Sequence, residues 1–202
     1  NYLKQNGWSD KVVDEVERSS FEIVKKLGDP KSQSAFFKRG MVVGSVQSGK
    51  TANFNGVINS AIDAGYELII VFSGLMNDLR RQTQQRIEKD VVGNWRGHEG
   101  YLGVGNVTAF SGPDKPENIN VEQIDIITSQ ESDFNQGLIQ ADFNLAGRKI
   151  LVCKKNVSVL GNLLLWLSGY IDAQHAKIDI PFLIIDDEAD NASLNNMGHK
   201  GR

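Results

Sequence analysis

The sequence lacks several features that would assign it to a class at once. One cysteine in 202 residues excludes a disulfide framework within the chain, and the three histidines have no zinc-site spacing. No apolar run approaches the roughly 18 residues that cross a membrane. With 22 basic and 25 acidic residues, the formal net charge of −3 excludes a uniformly basic nucleic-acid binder but leaves a local basic groove open. These absences predict a globular protein without a membrane segment.

The amino terminus has neither an apolar secretion signal nor an initiating methionine, and the lone thiol, Cys153, lies in an apolar run. We therefore expect a cytoplasmic protein and a chain that is part of a longer parent. What the sequence does contain is ordinary, with 40% hydrophobic, 8% aromatic and 23% charged residues. That composition is typical of a folded domain and excludes a disordered or fibrous chain.

Apolar periodicity alternates between helical and strand-like segments, which predicts an α/β domain with a mainly parallel sheet. Ser9 is the expected cap of a first helix, which ends at Gly28, Asp29 and Pro30. The predicted strands cover 40–43, 66–72, 107–110, 124–128, 149–153 and 181–185, and the later helices cover 51–64, 77–92 and 157–171. We divide the chain into an N-terminal helical arm, 1–37, and one lobe, 38–202.

Residues 44–51 read Gly-Ser-Val-Gln-Ser-Gly-Lys-Thr and fit the phosphate-loop pattern GxxxxGK[ST] in full. The motif stands between a predicted strand and a predicted helix, as its mechanism requires. Glycines let successive backbone N–H groups point at a phosphate, and the amino end of the helix adds unpaired donors and a positive dipole end. We predict an ATP site whose phosphate-binding residues are Gly44, Ser45, Val46, Gln47, Ser48, Gly49, Lys50, Thr51 and Ala52.

A second motif, Asp-Asp-Glu-Ala-Asp at 186–190, ends the last predicted strand. Ligands of open α/β sheets bind at the carboxyl ends of strands, so this motif and the phosphate loop meet over one nucleotide if their strands are neighbours. In that arrangement Thr51 and Asp187 hold magnesium. Lys50 then binds the β- and γ-phosphates, and Glu188 polarises the attacking water. A solvated, acidic helix start is the alternative explanation of the second motif.

At these motifs the chain resembles superfamily two helicases and translocases, whose motif II reads Asp-Glu-Ala-Asp, here 187–190. The segments 43–53, 64–66, 79–84 and 184–190 look more specifically like the Z-one domain family, and the likeness extends over about 38–195. The resemblance implies a three-layer, RecA-like P-loop NTPase domain, a helicase-like ATPase of bacterial restriction or repair-type systems, and DNA as partner. The family's endonuclease label is inferred, and this sequence shows no independent carboxylate cluster for a nuclease.

The same resemblance implies further nucleic-acid contacts. Ser73, Gly74 and Arg80 stand where motif Ia meets the nucleic-acid backbone, and Ser129 stands where motif Ib contacts occur. Arg80 and Arg81 also share a predicted helix with several glutamines, which gives donors suited to phosphate and sugar. A solvated helix with balanced charge explains those arginines equally well.

Lys154 and Lys155 follow another predicted strand and fit either a phosphate contact or a solvated strand end. We interpret the chain as the first lobe of a magnesium-dependent ATPase, with a second RecA-like lobe, further domains and restriction or repair partner proteins completing the assembly. Because a second lobe normally supplies an arginine finger worth about a thousandfold or more in rate, we expect weak ATP hydrolysis by this chain alone. A nucleotide-gated protein-interaction switch, without translocation or cleavage, is the alternative function.

Overall fold

A computed structural model of the chain describes residues 2–5, 7–43, 50–92, 124–140, 147–172, 177–187 and 189. The helices in these ranges are α1 (Tyr2–Gln5), α2 (Asp10–Val24), α3 (Lys50–Ala64), α4 (Asn77–Ile87) with a π-helical turn at Glu88–Val92, α5 (Gln136–Gln140) and α6 (Val157–Ser168). The strands there are β1 (Leu68–Ser73), β2 (Ile124–Ile126), β3 (Arg148–Cys153), β4 (Ile171–Asp172), β5 (Lys177–Ile178) and β6 (Phe182–Asp187).

Four of these strands form one sheet in the order β2, β3, β1, β6, and every pairing in it is parallel. The central strand β1 is in register with both neighbours, so that Ile70 stands between Leu151 of β3 and Ile184 of β6. The short strands β4 and β5 form a separate antiparallel pair. The predicted α/β class with a mainly parallel sheet is therefore confirmed.

Helices cover both faces of the sheet. On one face, here called the α3 face, Ile69 and Val71 of β1 pack with Ile58 of α3 in a cluster that also includes residues of α4 and its π-helical turn. On the opposite α6 face, Ile70 packs in a second cluster with Leu163 of α6. Successive side chains of a strand point to opposite faces, so a strand covered on both sides needs a continuous apolar run. Such a run is what β1 has, and all six of its residues are buried.

Close polar packing joins α2 to α3. Ser20 of α2 is buried, and its hydroxyl donates to the carbonyl oxygen of Asn53 at 3.2 Å. The same hydroxyl oxygen lies 2.3 Å from where a Cβ on Gly56 would stand, so the two helices approach this closely only because residue 56 has no side chain. Ser9 occupies the predicted cap position of α2 but makes no side-chain hydrogen bond to the helix. The helix that follows the predicted phosphate loop is thus attached to the amino-terminal part of the chain.

The predicted strand at 40–43 is wrong. These residues belong to no sheet, and Met41 and Val43 are 84% and 82% exposed. A short apolar run forms a strand only where another strand offers hydrogen-bonding partners, and 40–43 are hydrogen-bonded to neither outer strand of the described sheet, β2 or β6. The predicted strand at 107–110 lies outside the described residues.

The remaining elements differ from the predictions mainly at their ends. The helix predicted at 77–92 is found as α4 and its π-helical turn, and the last strand continues two residues further than predicted, to Asp187. The helix predicted at 157–171 ends at Ser168, before Gly169. Its start is fixed by Asn156, whose side-chain oxygen accepts the N–H of Val159 at 2.9 Å. Capping of this kind satisfies donors that a helix start otherwise leaves unpaired.

Candidate functional site

The carboxyl ends of the four parallel strands lie along one side of the sheet, here called the carboxyl edge. Residues 74–76 follow β1 there, 127–135 follow β2, 154–156 follow β3, and Asp187 ends β6. Ligands of open α/β sheets bind outside this edge, because loops that leave parallel strands converge on it. The described parts of both predicted motifs belong to this region.

The first turn of α3 also lies at the carboxyl edge. The helix ends at Ala64, and residues 65–67 connect it to the opposite end of the sheet, where β1 begins. Its 15 residues span about 22 Å, close to the about 20 Å of a six-residue strand. Lys50 therefore begins the helix near the level at which β1 and β6 end.

The phosphate loop proper, 44–49, lies outside the described residues. For Lys50 and Thr51 the structure describes the helical backbone, and Ala52 follows them in the first turn of α3. Of the predicted strand, loop and helix, the helix is found as α3, whereas the predicted strand at 40–43 is not found. Glu188 and Asp190 of the second motif also lie outside the described residues, whereas Asp187 is described.

The side chains of β6 alternate between the two faces of the sheet, so its two terminal carboxylates lie on opposite sides. Leu183 and Ile185 pack in the cluster of the α3 face, and Asp187 continues that alternation, so it stands on the side of the sheet that α3 covers. Asp186 has the opposite parity and stands on the α6 side with Ile184. Asp187 is in register with Ser73 at the end of β1. Of the two carboxylates, Asp187 is therefore the one on the same side as the start of α3.

Asp186 is matched by a cation from another strand. Lys155, two residues beyond β3, donates to a carboxylate oxygen of Asp186 at 2.5 Å, and its backbone N–H donates to the carbonyl oxygen of Gly74 at 2.8 Å. Because β1 lies between β3 and β6, the Lys155 side chain crosses the carboxyl end of β1 to reach its partner. Gly74 has a φ of 82°, a backbone conformation that favours glycine at this crossing.

The donor set at this edge suits magnesium only in company with a nucleotide. Among the residues that the structure describes, no three His, Cys, Asp or Glu side chains are grouped so that they would hold a metal ion by themselves. Magnesium, however, is commonly held by one or two carboxylates together with substrate phosphates and waters. A single carboxylate at Asp187 on the side of α3, with the Thr51 helix beginning nearby, fits that mode of binding.

The predicted nucleic-acid contacts divide into buried and accessible positions. Arg80 is 3% exposed, and Ser73 and Gly74 are also buried. The Ser73 hydroxyl donates to the Cys153 carbonyl oxygen at 3.4 Å. Arg81 is exposed and paired with Asp78 at 3.0 Å, and Ser129 is half-buried. The structure thus places Arg81 and Ser129, rather than Arg80, where an outside phosphate has access.

Arg80 is part of a buried polar network between α4 and the segment after β2. Its guanidinium donates to the Gln130 carbonyl oxygen at 2.7 Å. Gln84, one turn further along α4, donates to the Thr128 carbonyl oxygen at 2.8 Å and accepts the Thr128 hydroxyl at 2.8 Å. Glu88 receives hydrogen bonds from both Gln84 and Gln130. Buried polar groups are costly unless paired, so this network fixes the 128–130 segment against α4.

A half-buried carboxylate, Asp133, ties the segment after β2 to the end of β3. Its carboxylate accepts the backbone N–H groups of Phe134 at 2.7 Å and Lys154 at 3.2 Å. Burial raises the pKa of Asp133, although those two donors and nearby Arg80 oppose the shift. Burial, reinforced by the Asp133 carboxylate, also raises the pKa of the Cys153 thiol well above its ordinary value. Cys153 is therefore a structural, unreactive thiol.

Sequence reasoning missed the roles of Gln84, Glu88, Asp133 and Lys155. Gln84 of α4 and Glu88 of the π-helical turn are four residues apart and therefore one turn apart, which was the available signal. Polar residues on a helix, however, are usually interpreted as a solvated face. Lys155 fitted a phosphate contact or a solvated strand end, whereas the structure pairs it with Asp186. The contacts of Gln84 with Thr128 and of Lys155 with Asp186 join residues that are far apart in the sequence, so no local pattern predicts them.

Comparison with protein-family models, with curated proteins and with solved structures finds no match to this chain. Among the described helices, none has both the length and the apolar character needed to cross a bilayer. The arguments for function consequently come from the two motifs and from the arrangement of the carboxyl edge.

Proposed function

We propose that this chain is a magnesium-dependent, ATP-binding and ATP-hydrolysing lobe of RecA-like type, belonging to a helicase-like protein that acts on DNA in a restriction or repair-type system. The observation that carries the proposal is the placement of Asp187. It ends β6 on the side of the sheet covered by α3, the helix that directly follows the GxxxxGK[ST] sequence. The described ends of the two motifs, the start of α3 and Asp187, therefore support a shared site on one side of the sheet.

Each residue of the two motifs has a distinct task in this proposal. The backbone N–H groups of 44–49 and the amino end of α3 bind phosphate oxygens, and Lys50 neutralises charge on the β- and γ-phosphates. Thr51 and Asp187 would hold magnesium, which supplies Lewis-acid polarisation of the phosphoryl oxygens. Glu188 accepts a proton from the attacking water, or orients it, because the carboxylate follows directly after Asp187.

The proposal that DNA is the partner rests on the resemblance to superfamily two and the Z-one domain family. The exposure of two predicted contact residues supports it. Arg81 and Ser129 are accessible on segments that leave the carboxyl edge, so they are the preferred backbone contacts. A second RecA-like lobe completes the ATP site in this proposal, and nuclease activity, if the assembly has it, belongs to another part of that assembly.

One contact favours the alternative of a nucleotide-gated interaction switch. α3 follows the phosphate loop and is joined to α2 by the Ser20 to Asn53 hydrogen bond and the close approach at Gly56. The outer side of α2 exposes Phe21, so a shift of α3 on nucleotide binding would be transmitted to an apolar side chain at the surface. A switch of this kind needs ATP binding but no stimulation by DNA.

Nucleotide binding and hydrolysis by three proteins test the proposal. The unaltered chain should bind ATP in the presence of magnesium and hydrolyse it slowly. Lys50→Ala should lose most of the affinity for ATP, because the lysine no longer neutralises negative charge on the β- and γ-phosphates. Glu188→Gln should retain the affinity while its hydrolysis rate falls by about 10²- to 10⁴-fold, as expected for the loss of a general base. Affinity is measured by titration with a fluorescent ATP analogue, and hydrolysis by phosphate release.

Two results would count against the proposal. Equal ATP affinity in the unaltered chain and Lys50→Ala would show that the phosphate loop does not bind nucleotide, and equal hydrolysis by Glu188→Gln would remove Glu188 from the mechanism. Adding DNA to the parent protein then separates the two functions, since stimulated hydrolysis indicates a translocase and indifference indicates the switch. Circular dichroism melts of each variant control for loss of fold.

A further inference from the structure

We propose that residues 31–39, here called the basic loop, bind single-stranded nucleic acid. A base stacks on Phe37, and the basic side chains of the loop contact phosphates on either side of that base. The loop contains no residue of the two motifs and does not belong to the carboxyl edge. The inference therefore goes beyond the proposed function and does not depend on the nucleotide site.

The basic loop has an unbalanced positive charge. It contains three basic residues and no acidic residue, whereas the whole chain has a formal net charge of −3. All nine residues of the loop are exposed. The ion pairs among the described residues involve none of its cations, which are Lys31, Lys38 and Arg39. A local concentration of cations of this kind attracts a polyanion even when the total charge of the protein is negative.

The loop also presents an aromatic ring to solvent. Phe37 is 77% exposed, and the guanidinium carbon of Arg39 lies 4.7 Å from the centre of its ring. Arg39 covers one face of the ring, and because most of the side chain still contacts water, the other face is open to a second planar group. A nucleic-acid base is such a group, and every base has a face that can stack on an aromatic side chain. Arg39 also holds a positive charge beside the stacking site.

Both ends of the loop are attached to the body of the domain. The ring of Phe36 packs edge-on against Tyr66, with ring centres 6.3 Å apart, and occupies the space that a side chain on Gly28 would need. Tyr66 is buried, and its hydroxyl donates to the Gly28 carbonyl oxygen at 2.7 Å. The Lys31 side chain lies beside Gly65. The loop is thus held where the chain enters β1, and a surface that is already ordered loses less entropy on binding.

These features favour a single strand over other anionic partners. The bases of a duplex are stacked on one another, so a duplex offers phosphates to the loop but no free base to Phe37. An acidic peptide likewise matches the charge and leaves the ring without a planar partner. Proteins that lie on lipid surfaces commonly use the apolar face of an amphipathic helix, whereas Phe36 of this loop is directed at Tyr66 and Phe37 is flanked by cations.

Binding of a labelled oligothymidylate of about 20 nucleotides to the full chain, followed by fluorescence anisotropy at several salt concentrations, tests the inference. Phe37→Leu should weaken binding about 5- to 100-fold, because the stacking face is lost. The slope of log affinity against log salt should not change in this variant, because no charge is removed. Lys38→Gln should instead reduce the slope by about 0.7, the value for one phosphate contact of a single strand. A duplex of the same length should bind more weakly and should bind equally well to Phe37→Leu.

Two variants on α2 are the matched controls. Phe21 is 59% exposed and has the Lys25 ammonium 5.5 Å from its ring centre, so Phe21→Leu removes a comparable aromatic and cation pair outside the loop. Lys11→Gln removes an exposed charge outside the loop. Both should keep the affinity and the salt slope of the unaltered chain. Because all four substituted side chains are exposed, the melting temperatures measured by circular dichroism should stay close to that of the unaltered chain.

Four results would overturn the inference. These are no binding of oligothymidylate by the unaltered chain, equal affinity in Phe37→Leu, an equal loss in Phe21→Leu, and an equal loss of duplex binding in Phe37→Leu. Tighter binding to polyglutamate or to vesicles of phosphatidylserine and phosphatidylcholine at the same salt concentration would also overturn it, in favour of an acidic protein or a lipid surface. Failure of the proposed function is recognised separately, by equal ATP affinity in the unaltered chain and Lys50→Ala.

Discussion

Strands β1 and β6 pair residue for residue and are similarly apolar in sequence, yet they occupy opposite environments. All six residues of β1 are buried, whereas burial in β6 alternates between half-buried and exposed positions. The contrast is sharpest at one rung of the sheet, where Ile70 is fully buried and its partner Ile184 is 48% exposed. Identical side chains in adjacent positions therefore have different energetic roles.

The difference in burial leads us to expect that the two strands contribute to different properties of the protein. β1 is covered by α3 and α4 on one face and by α6 on the other, and it ends in the buried hydroxyl of Ser73. β6 packs well only toward the α3 face and ends in two carboxylates at the carboxyl edge. We expect β1 to contribute mainly to stability and the end of β6 mainly to ligand binding.

The largest effect should come from the paired isoleucines. Ile70→Ala should lower the free energy of unfolding by about 2–5 kcal/mol, because it leaves a cavity among fully buried side chains. Ile184→Ala should lower it by no more than about 1 kcal/mol, because nearly half of that side chain already contacts water. Urea unfolding followed by circular dichroism measures both values. Equal losses of stability would show that β6 is as enclosed as β1 and would contradict the difference described above.

The adjacent arginines of α4 extend the same contrast from strands to a helix. Arg80→Met should lower the free energy of unfolding by about 1.5–3 kcal/mol, because it removes the charged donor that buried Arg80 directs at the carbonyl oxygen of Gln130. Arg81→Met should change it by less than about 0.5 kcal/mol, because its pair with Asp78 is at the surface. Urea unfolding again provides the measurement.

DNA binding by the same two variants sharpens this result. If Arg81 contacts a phosphate, Arg81→Met should reduce the slope of log affinity against log salt by about one, whereas Arg80→Met, measured where it is still folded, should leave that slope unchanged. A reduced slope in Arg80→Met alone would place the buried arginine in the interface, contrary to its position in the structure.

A smaller effect is expected at the ends of the two strands, where Ser73 and Asp187 are register partners. Asp187→Asn should weaken the magnesium-dependent part of ATP affinity by about tenfold or more, because the proposed magnesium ligand loses its negative charge. Ser73→Ala should cost less than about 1 kcal/mol of stability, because its 3.4 Å hydrogen bond is long, and should leave ATP affinity unaltered. Paired nucleotide titrations and urea unfolding distinguish the two outcomes. The opposite assignment of effects would contradict the proposed division between the strands.

Much of the fold was predictable because its elements have strong local patterns. The apolar run of β1 and the uninterrupted helical segment at α4 are read directly from the sequence. The strand predicted at 40–43 has comparable apolar character but belongs to no sheet. Strand formation depends on a partner's hydrogen-bonding groups, and a local pattern contains no information about whether a partner is present.

For the candidate site, the sequence contains the motifs but not the contacts between distant residues. The spacing within 44–51 and 186–190 indicates phosphate and metal chemistry without any structure. Which of the two adjacent aspartates lies on the α3 side follows from the alternation of β6, once that strand is placed in the sheet. The burial of Arg80 could not be inferred, because its hydrogen-bonding partner, the Gln130 carbonyl oxygen, lies 50 residues further along the chain.

The sequence by itself determined the alternation of helices and strands, the phosphate-loop pattern and the acidic end of the last strand, because these depend on residues that are neighbours along the chain. The tertiary structure alone decided that Arg80 stabilises the interior while Arg81 is exposed, and that Lys155 crosses β1 to neutralise Asp186. Those outcomes depend on which strands are adjacent and which faces are covered. Burial and long-range charge pairing are properties of the packed sheet, and no local spacing of residues specifies them.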